Sequence, residues 1–348
     1  MTQTYVLAVI GAGPGGYIAA LKASALKARV ALIERDSFGG ACLNLGCIPT
    51  KTLYQSSHDF LNYLHYAKIV KTPIPQDGHL SQRAFEHAAH TKDKVVSSLR
   101  TQLEGLVKHS SIKVYRGSAV LSSRQEITID SQTRINADKI VLATGSTPVM
   151  PSKFDLDRLK VMTSDEIVDL KKLPERILIV GGGYIGCEYA TIFANYGTEV
   201  TLVELLPRIL TTEDNDVVKE VTKSFTKRGV NIIASTGLDS VKIPGDKVTA
   251  KLTNGETLET DLVLMAVGRT PNSEGLGLEK FGIDFNAQGA IAVDSKLRTS
   301  KSSIYAIGDV IDKELRLAHV SEKEGVIGIS DILRDMSSGP MSYDVIPT

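Results

Sequence analysis

The sequence predicts an α/β protein that contains two copies of one supersecondary unit. Each copy consists of a short apolar strand, a glycine-rich turn, a helix and a second apolar strand followed by an acidic residue. The chain has 348 residues, which is room for about two domains of ordinary size. Apolar residues make up 42% of the chain, enough for ordinary buried cores. Because both strands of each copy are apolar throughout, we expect parallel sheets covered by helices.

The first copy lies at the N-terminus. Residues 5–10 (YVLAVI) are the first strand, residues 11–16 (GAGPGG) are the turn, and an alanine-rich helix follows from residue 14 to about residue 27. The second strand covers residues 29–33 and leads into Glu34.

The second copy repeats this order in the middle of the chain. Residues 176–180 (RILIV) are the strand, and residues 181–186 (GGGYIG) are the turn. The helix runs to about Tyr196, with Gly197 as its C-terminal cap, and the strand at residues 199–203 leads into Glu204. The first glycine and the acid are 23 residues apart in both copies. This equal spacing indicates an internal duplication.

The pattern G-x-G-x-x-G between a strand and a helix has a physical explanation. The first glycine makes the tight turn, the second lets the backbone approach a pyrophosphate, and the third lets helix and strand pack closely. The helix N-terminus stabilises the phosphate charge, and the acid binds ribose hydroxyls. We therefore predict two Rossmann-like dinucleotide-binding domains. Glu204 would repel a 2′-phosphate, which favours NAD over NADP; nearby Arg208 forms either a surface ion pair or a phosphate contact.

Three later strands end in small residues. Residues 126–130 and 134–145 form a hairpin that continues into a strand ending at Thr144 and Gly145. Residues 248–252 and 256–268 repeat this around an Asn-Gly turn, and a third strand at residues 303–307 precedes Asp309. Ligands of open α/β sheets bind at these carboxyl ends. The expected domains are residues 1–146 with 270–348, and residues 147–269, each in three layers with β-meander crossovers.

Charge and composition exclude several classes of function. Forty basic residues balance forty acidic ones, and no basic patch favours nucleic acid. No apolar run has the roughly 18 residues that a spanning helix needs. No signal peptide is evident, which favours a cytoplasmic protein. A long helix at residues 84–107 is expected to place its charges, which include Lys92, on a solvated face.

The segment GGACLNLGCIPTK at residues 39–51 contains Cys42 and Cys47, two of three cysteines. On an ideal helix this spacing separates the thiols by about 140°, so a disulfide would need a distorted or starting helix. A close pair in a reducing compartment is catalytic, redox-sensing or metal-binding, or it is two buried thiols. The third cysteine, Cys187, is expected to be a small buried apolar residue.

The cysteine segment resembles the redox-disulfide signature of the pyridine nucleotide-disulfide oxidoreductases, which are glutathione reductase-like flavoproteins. The stretches VTLVELLPRIL, AVGRTPN, IYAIGDV and LAHVSEKEG are similar to the dihydrolipoamide dehydrogenases within that family. The resemblance covers essentially the whole chain. It implies oxidation of dihydrolipoamide to lipoamide with reduction of NAD, through a redox disulfide and FAD.

The resemblance also implies roles for individual residues. Cys42 would be the interchange thiol, Cys47 the thiol beside the flavin, and Lys51 would lie near the flavin and pair with Glu188. FAD contacts are implied at Gly11, Gly13, Gly15, Gly16, Glu34, Gly40, Cys42, Lys51, Gly117, Thr144, Gly145, Ser146, Asp309 and Ala318. NAD contacts are implied at Gly181, Gly183, Tyr184, Ile185, Gly186, Glu204, Leu238, Gly268 and Arg269. No metal site is expected.

The partners implied are a dithiol substrate, free or on a lipoyl domain, and the other components of a 2-oxoacid dehydrogenase complex. The chain stops where family members begin a C-terminal interface domain, which would form a homodimer and supply a His–Glu acid–base pair. The chain's own histidines show no matching motif, so we expect a fragment with weak lipoamide turnover. Alternatives are a related disulfide or mercuric reductase, or a non-catalytic FAD-binding interaction protein.

Overall fold

A computed structural model describes residues 3–74, 79–154, 157–313, 315–335 and 338–347. The strands are β1 (Gln3–Ile10), β2 (Val30–Glu34), β3 (Ile112–Arg116), β4 (Ala119–Leu121), β5 (Glu126–Ile129), β6 (Thr133–Leu142), β7 (Ser146–Pro148), β8 (Val161–Thr163), β9 (Arg176–Val180), β10 (Glu199–Val203), β11 (Asn231–Ile233), β12 (Leu238–Lys242), β13 (Val248–Leu252), β14 (Thr257–Thr260), β15 (Leu262–Met265), β16 (Arg269–Pro271) and β17 (Ile304–Ala306). The helices are α1 (Pro14–Ala25), α2 (Gly40–Asn44), α3 (Cys47–Ile69), α4 (Leu80–Lys108), α5 (Ser164–Ile167), α6 (Tyr184–Asn195), α7 (Asn215–Lys227) and α8 (Ala318–Leu333).

The chain forms two compact units. Unit 1 contains residues 1–44, 97–147 and 270–348, and unit 2 contains residues 45–96 and 148–269. The expected domains placed residues 45–96 with the N-terminal region, whereas the compact units group them with residues 148–269.

Unit 1 is built on a parallel sheet in the order β3-β2-β1-β6-β17, with the antiparallel strands β5 and β4 added to the first half of β6. Helix α1 follows β1 and packs against α8. Leu7, Leu32 and Leu142, on three of these strands, have no exposed surface. These strands are apolar at successive positions because both faces of the sheet are covered.

Unit 2 has a parallel sheet in the same spatial pattern, β11-β10-β9-β15-β8, and a separate antiparallel meander, β12-β13-β14. Alternate residues of β9 face two different cores: Ile177 and Ile179 pack with α6, and Leu178 packs with the meander. Helices, sheet and meander therefore form three layers. The predicted α/β fold with two Rossmann-like domains and β-meanders is confirmed.

The two units differ where the sequence predicted the same arrangement. In unit 1, β6 runs from the hairpin into the parallel sheet as one strand. In unit 2, the corresponding stretch divides at Asp261 into β14 and β15, which belong to different sheets. The Asp261 backbone N–H donates to the carbonyl of Arg176, and its carboxylate accepts the Arg176 backbone N–H at 2.9 Å. These two bonds hold the chain at the change of sheet.

The prediction of a solvated charged face on α4 is wrong at Lys92. Its side chain is only 3% exposed and donates to Asp169 at 2.7 Å, with Asp93 at 2.6 Å. The two carboxylates raise the pKa of Lys92 against the opposing effect of burial. A lysine stem buries easily when its ammonium finds acidic partners, and helical periodicity does not reveal those partners.

Within the parts of the chain that the structure describes, none of the helices combines the length and apolar content needed to span a bilayer.

Candidate functional site

The first glycine turn, residues 11–16, requires glycine for its own folding at two positions. Gly11 has a φ of +100°, and a Cβ there would clash with the carbonyl oxygen of Ala143. A Cβ at Gly16 would clash with the carbonyl oxygen of Gly11. At Gly13, in contrast, the nearest atom to an added Cβ would be the Cα of Gly40 at 3.9 Å. The fold does not need glycine at position 13, so its absent side chain leaves room for a ligand to approach the backbone.

The second turn, residues 181–186, has the same geometry. Gly181 has a φ of +110°, and its added Cβ would clash with the carbonyl oxygen of Ala266. A Cβ at Gly186 would clash with the carbonyl oxygen of Gly181. A Cβ at Gly183 would meet no protein atom within 4 Å. Both turns therefore fit a pyrophosphate at the start of the following helix.

Gly15 and Gly40 bring other helices close to the first turn. A Cβ at Gly15 would lie 2.9 Å from the carbonyl oxygen of Ser321 in α8. A Cβ at Gly325 would in turn lie 2.6 Å from the carbonyl oxygen of Gly15. Gly40, the first residue of α2, has a φ of +56°, and its Cβ would lie 2.8 Å from the Cα of Gly13. Ile185 stands where Gly15 stands in the first turn, so this close contact is particular to unit 1.

Glu34 is held at the first turn by backbone donors. Its Oε2 accepts the N–H of Ala12 at 2.6 Å, and its Oε1 accepts the N–H of Asp36 at 2.7 Å. The backbone carbonyl of Glu34 accepts the N–H of Gly117 at 3.0 Å. Gly117, with a φ of +137°, therefore lies at the same sheet edge. Each carboxylate oxygen keeps a further lone pair with which it can accept a ribose hydroxyl.

Glu204 has the equivalent contacts in unit 2. Its Oε2 accepts the N–H of Gly182 at 2.6 Å, and its Oε1 accepts the N–H of Leu206 at 2.8 Å. Leu205 follows it directly and is 71% exposed. Tyr184, the first residue of α6, is 56% exposed. The edge beside Glu204 therefore presents one carboxylate and apolar surface.

Hydrogen bonds fix the strand ends of unit 1. The hydroxyl of Thr144 donates to the backbone carbonyl of Asn272 at 2.6 Å, and the Asn272 N–H donates to the carbonyl of Gly145 at 2.9 Å. The hydroxyl of Ser146 donates to Asp309 Oδ2 at 2.8 Å. Ala318 begins α8, as expected. The structure therefore brings together the expected site residues from the ends of β6 and β17.

The strand ends of unit 2 carry an ion pair. Gly268 has a φ of +116°, and its carbonyl accepts the N–H of Val149 at 2.9 Å. Arg269 lies 3.8 Å from Asp165, and burial raises the pKa of Asp165 although the arginine opposes this. The side chain of Leu238 is buried in the core, so a contact from this residue to a nucleotide would come from its backbone.

Cys42 and Cys47 form a disulfide. Cys42 belongs to α2, which ends at Asn44, and Cys47 is the first residue of α3. The predicted need for a distorted or starting helix is confirmed, because α3 starts at Cys47. Gly46 provides no side-chain cap to α3. The positive end of the helix dipole therefore lies at Cys47, the first residue of α3.

Lys51 lies one helical turn after Cys47 on α3, on the same face. Its Nζ lies 2.5 Å from Oε1 of Glu188 on α6, so the suggested pairing of these two residues is confirmed. The lysine side chain is 61% exposed and the glutamate 27%.

Sequence comparison supports the same interpretation. A family model described as pyridine nucleotide-disulphide oxidoreductase matches residues 5–325, which is most of the chain. The chain belongs to this family. Among curated relatives, dihydrolipoyl dehydrogenase from Chlamydia pneumoniae is 38% identical, with the alignment covering 100% of this chain and 74% of the relative. Dihydrolipoyl dehydrogenase from Acholeplasma laidlawii is 36% identical, with 99% and 100% covered.

Solved structures give the same fold for this pyridine nucleotide-disulphide oxidoreductase. The HOCl-induced flavoprotein disulfide reductase RclA from Escherichia coli superposes with a TM-score of 0.85 at 30% identity, covering 98% of this chain and 73% of that one. LpdA from Mycobacterium tuberculosis superposes with a TM-score of 0.87 at 26% identity, covering 98% and 74%. The chain is thus a member of a family of disulfide oxidoreductases.

The remaining cysteine is unsuited to thiol chemistry. Cys187 is buried in α6, as predicted, and it is a free thiol. Burial, with help from Glu204 and Glu188, raises its pKa to about 12. At neutral pH it stays protonated and does not act as a nucleophile.

Arg208 has backbone partners that the sequence did not predict. Its guanidinium donates to the backbone carbonyls of Thr211 and Glu213, each at 3.0 Å. Arg208 therefore closes the loop after Glu204 rather than forming a surface ion pair, and a phosphate contact from this residue stays a prediction. The sequence could not predict these two hydrogen bonds, because every residue has a backbone carbonyl and no residue type marks the ones that accept.

Two residues at the strand ends were missed as contributors. Asn272, within the quoted stretch AVGRTPN, holds Thr144 and Gly145, and Asp165 pairs with Arg269. The motif position of Asn272 could have indicated it, whereas Asp165 carries no signal in the sequence. Among the described residues, no three His, Cys, Asp or Glu side chains converge to hold a metal ion.

Proposed function

We propose that the chain is a dihydrolipoamide dehydrogenase, which oxidises dihydrolipoamide to lipoamide and reduces NAD. The observation that carries this proposal is the Cys42–Cys47 disulfide at the uncapped start of α3. Relatives covering the whole chain are named dihydrolipoyl dehydrogenase, which supports the same substrate.

The position of Cys47 supports the order of the sulfur chemistry. A substrate thiolate attacks the sulfur of Cys42, the Cys42–Cys47 bond breaks, and Cys47 leaves as a thiolate. The second substrate thiol then attacks the mixed disulfide, which releases reduced Cys42 and forms the cyclic disulfide of lipoamide. Two electrons and two protons pass from the substrate in this exchange. Cys47 is the better leaving group because a helix N-terminus stabilises its negative charge.

Lys51 and Glu188 would help to stabilise the thiolate of Cys47. A cation one turn along the same helix lowers the thiol pKa of Cys47. Glu188 holds the ammonium of Lys51 by a short ion pair, and so keeps a flexible side chain on one face of α3. The pair therefore orients the cation rather than contributing much stability, since exposed ion pairs are weak.

The cofactors of the proposed reaction are FAD and NAD. We assign FAD to residues 1–146 and 270–348 through the first turn, Glu34 and the ends of β6 and β17. We assign NAD to residues 147–269 through the second turn and Glu204. Bound FAD would accept the two electrons of the reduced Cys42 and Cys47 pair, which re-forms the disulfide, and bound NAD would then take up these electrons as a hydride.

The surroundings of Glu204 favour NAD over NADP. A 2′-phosphate would lie beside a carboxylate that two backbone N–H groups hold in place. Leu205 and Leu206 offer no positive charge there, and Arg208 is engaged with Thr211 and Glu213. Recognition of a phosphate normally requires a nearby cation.

A second candidate is a disulfide reductase that runs in the opposite direction, from reduced nicotinamide to a disulfide substrate. The similarity to a flavoprotein disulfide reductase at a TM-score of 0.85 favours this candidate. The two candidates imply different partners. A dehydrogenase would act on lipoyl domains of a 2-oxoacid dehydrogenase complex, with a homodimer as the working form. A reductase would not need that complex.

An anaerobic titration of the purified protein tests the proposal. Visible spectra recorded during NADH addition should show a flavin that gains long-wavelength absorbance, the signature of a thiolate beside oxidised flavin. Cys42→Ser and Cys47→Ser should abolish dihydrolipoamide oxidation, and Cys187→Ser is the matched control that should retain it. Bleaching of the flavin without the long-wavelength band would show that the disulfide takes no part.

Steady-state assays distinguish the two candidates. The proposal expects NAD reduction by dihydrolipoamide, with NAD preferred over NADP, and the weak turnover expected from the sequence remains a prediction of the same assay. Faster NADH oxidation with other disulfides than NAD reduction with dihydrolipoamide would favour the reductase. A purified protein that binds neither FAD nor NAD would contradict both.

A further inference from the structure

Glu324 on α8 is a carboxylate with no exposed surface. Three groups donate to it. The N–H of Gly308 bonds Oε2 at 2.6 Å, the ammonium of Lys313 lies 2.8 and 3.0 Å from the two oxygens, and the hydroxyl of Tyr343 bonds Oε1 at 2.8 Å. The Lys313 side chain is only 4% exposed. A buried ion pair loses much hydration on both charges, so stability alone gives little reason to retain one.

The cluster acts on one particular turn of the backbone. Gly308 has a φ of +76° and begins the 3-10 turn Gly308–Val310, which follows β17 after one residue. The preceding residue, Ile307, donates its N–H to the carbonyl of Leu142 and so continues the pairing with β6. The bond from Gly308 to Glu324 therefore helps to hold the chain at the point where it leaves the sheet.

Asp309 follows Gly308 directly. Its carboxylate accepts the hydroxyl of Ser146 at 2.8 Å, at the carboxyl end of β6. Glu34 lies at the end of β2, and the intervening order of strands is β2-β1-β6-β17. At a spacing of about 4.8 Å per strand, three steps separate the two carboxylates by roughly 14 Å. A ligand that binds Glu34 through its ribose must be long to reach Asp309.

We propose that Glu324, with Lys313 and Tyr343, is a positioning residue that sets the Gly308–Asp309 turn to receive the part of FAD beyond its ADP half. This inference rests on the proposed FAD site of unit 1. ADP needs only the first glycine turn and Glu34, whereas FAD extends to the end of β17. Glu324 itself is covered by the protein and touches no ligand.

The difference between FAD and ADP provides the test. Dissociation constants of both are measured on the full 348-residue chain freed of nucleotide, by flavin fluorescence for FAD and by calorimetry for ADP. Glu324→Gln should weaken FAD binding about tenfold, which corresponds to roughly one lost hydrogen bond. ADP binding should stay within about twofold. A residue that only stabilised the unit would change both constants alike.

Asp331→Asn is the matched control for Glu324→Gln. Asp331 is another acid of α8 with a cationic partner, Arg298, and it does not contact Gly308. Its replacement should change neither dissociation constant.

A pair of tyrosines supplies a milder test. Tyr343 donates to Glu324 and Tyr305 donates to Asp331, each at 2.8 Å and each to a carboxylate of α8. Tyr343→Phe should weaken FAD binding about two- to fivefold without changing ADP binding. Tyr305→Phe likewise removes a tyrosine hydroxyl that donates to an acid of α8, and it should leave both dissociation constants unchanged.

Each outcome has a defined meaning. Unchanged FAD affinity in Glu324→Gln, or an equal loss of FAD and ADP affinity, would overturn the inference. If Glu324→Gln cannot be obtained folded, Tyr343→Phe decides, and its FAD affinity at the wild-type value would overturn the inference. A wild-type chain that binds ADP but not FAD would instead contradict the proposed flavin site.

Discussion

Lys51 Nζ lies 2.5 Å from Glu188 Oε1, and the same lysine is one helical turn from Cys47 on α3. The ion pair therefore connects the helix that begins with a disulfide sulfur to the helix that begins with the second glycine turn. Both helices belong to unit 2. A single cation is thus held by an acid and placed near a sulfur whose charge changes in the proposed reaction.

Lys51→Met should make Cys47 react more slowly as a nucleophile near neutral pH, because a nearby positive charge that favours its thiolate is lost. The measurement is the pH dependence of iodoacetamide alkylation in a Cys42→Ser background. Lys68→Met removes the same charge from the exposed end of α3 and should leave the alkylation profile unchanged. Identical profiles for Lys51→Met and the parent would contradict the assigned role.

The two glycines of the second turn should separate folding from binding. Gly181→Ala should lower the free energy of unfolding by more than about 2 kcal/mol, because its φ is positive and its Cβ would clash with Ala266. Gly183→Ala should leave stability nearly unchanged but weaken NADH binding, since its Cβ points into open space. Urea unfolding and NADH fluorescence measure the two effects. Normal NADH binding by Gly183→Ala would contradict the assignment of the NAD pyrophosphate to this turn.

The two acids should control different nucleotides. Glu204→Gln should weaken NADH binding about tenfold and leave FAD binding unchanged, because charged hydrogen bonds to ribose hydroxyls become neutral ones. Glu34→Gln should do the reverse, so each variant is the control for the other. Calorimetry gives both affinities, and loss of the same nucleotide in both variants would refute the assignment of the two sites.

Counting reactive thiols tests the state of all three cysteines. The native oxidised protein should show no thiol reactive at pH 8, because Cys187 is buried with a pKa raised to about 12. Denaturation should expose one thiol, and reduction of the native protein should expose two. Two reactive thiols in the native protein before reduction would indicate that the pair is not oxidised.

Protonation of Asp331 should lower the free energy of unfolding of the protein in acid. Arg298 donates to it by two bonds, and this arginine holds the pKa of Asp331 down to about 2, below its ordinary value of 3.8. The stabilisation is therefore complete above about pH 4 and is lost as the pH falls towards 2. Asp331→Asn should cost about 2 kcal/mol at pH 7, and this cost should shrink between pH 4 and pH 2.

Urea unfolding at several pH values measures this difference. Asp138→Asn, which removes an exposed carboxylate of β6, should change stability little at any pH. A constant cost of Asp331→Asn across the range would show that the carboxylate charge is not responsible.

Much of the fold could be predicted from the sequence because it depends on local signals. The strands β1, β9 and β10 and the starts of α1 and α6 lie where the glycine turns and apolar runs predicted them. Positions 11 and 181 require glycine because their φ is positive, and a glycine at such a position can be recognised in the sequence alone. The division of the second hairpin at Asp261 was not visible, because it depends on hydrogen bonds to Arg176 far along the chain.

The candidate site divides in the same way. The two glycine turns, their acids and the close cysteine pair could be identified from the sequence, since each lies within a short segment of fixed spacing. Three features depend on the three-dimensional fold: Lys92 is buried, Arg208 closes its own loop, and the side chains of Lys313 and Tyr343 meet Glu324 at the Gly308 turn. The partners of a charged side chain are the groups that the fold places near it, often from distant parts of the chain. Burial then strengthens these contacts. The identity of these partners depends on the tertiary fold, so no local sequence pattern predicts it.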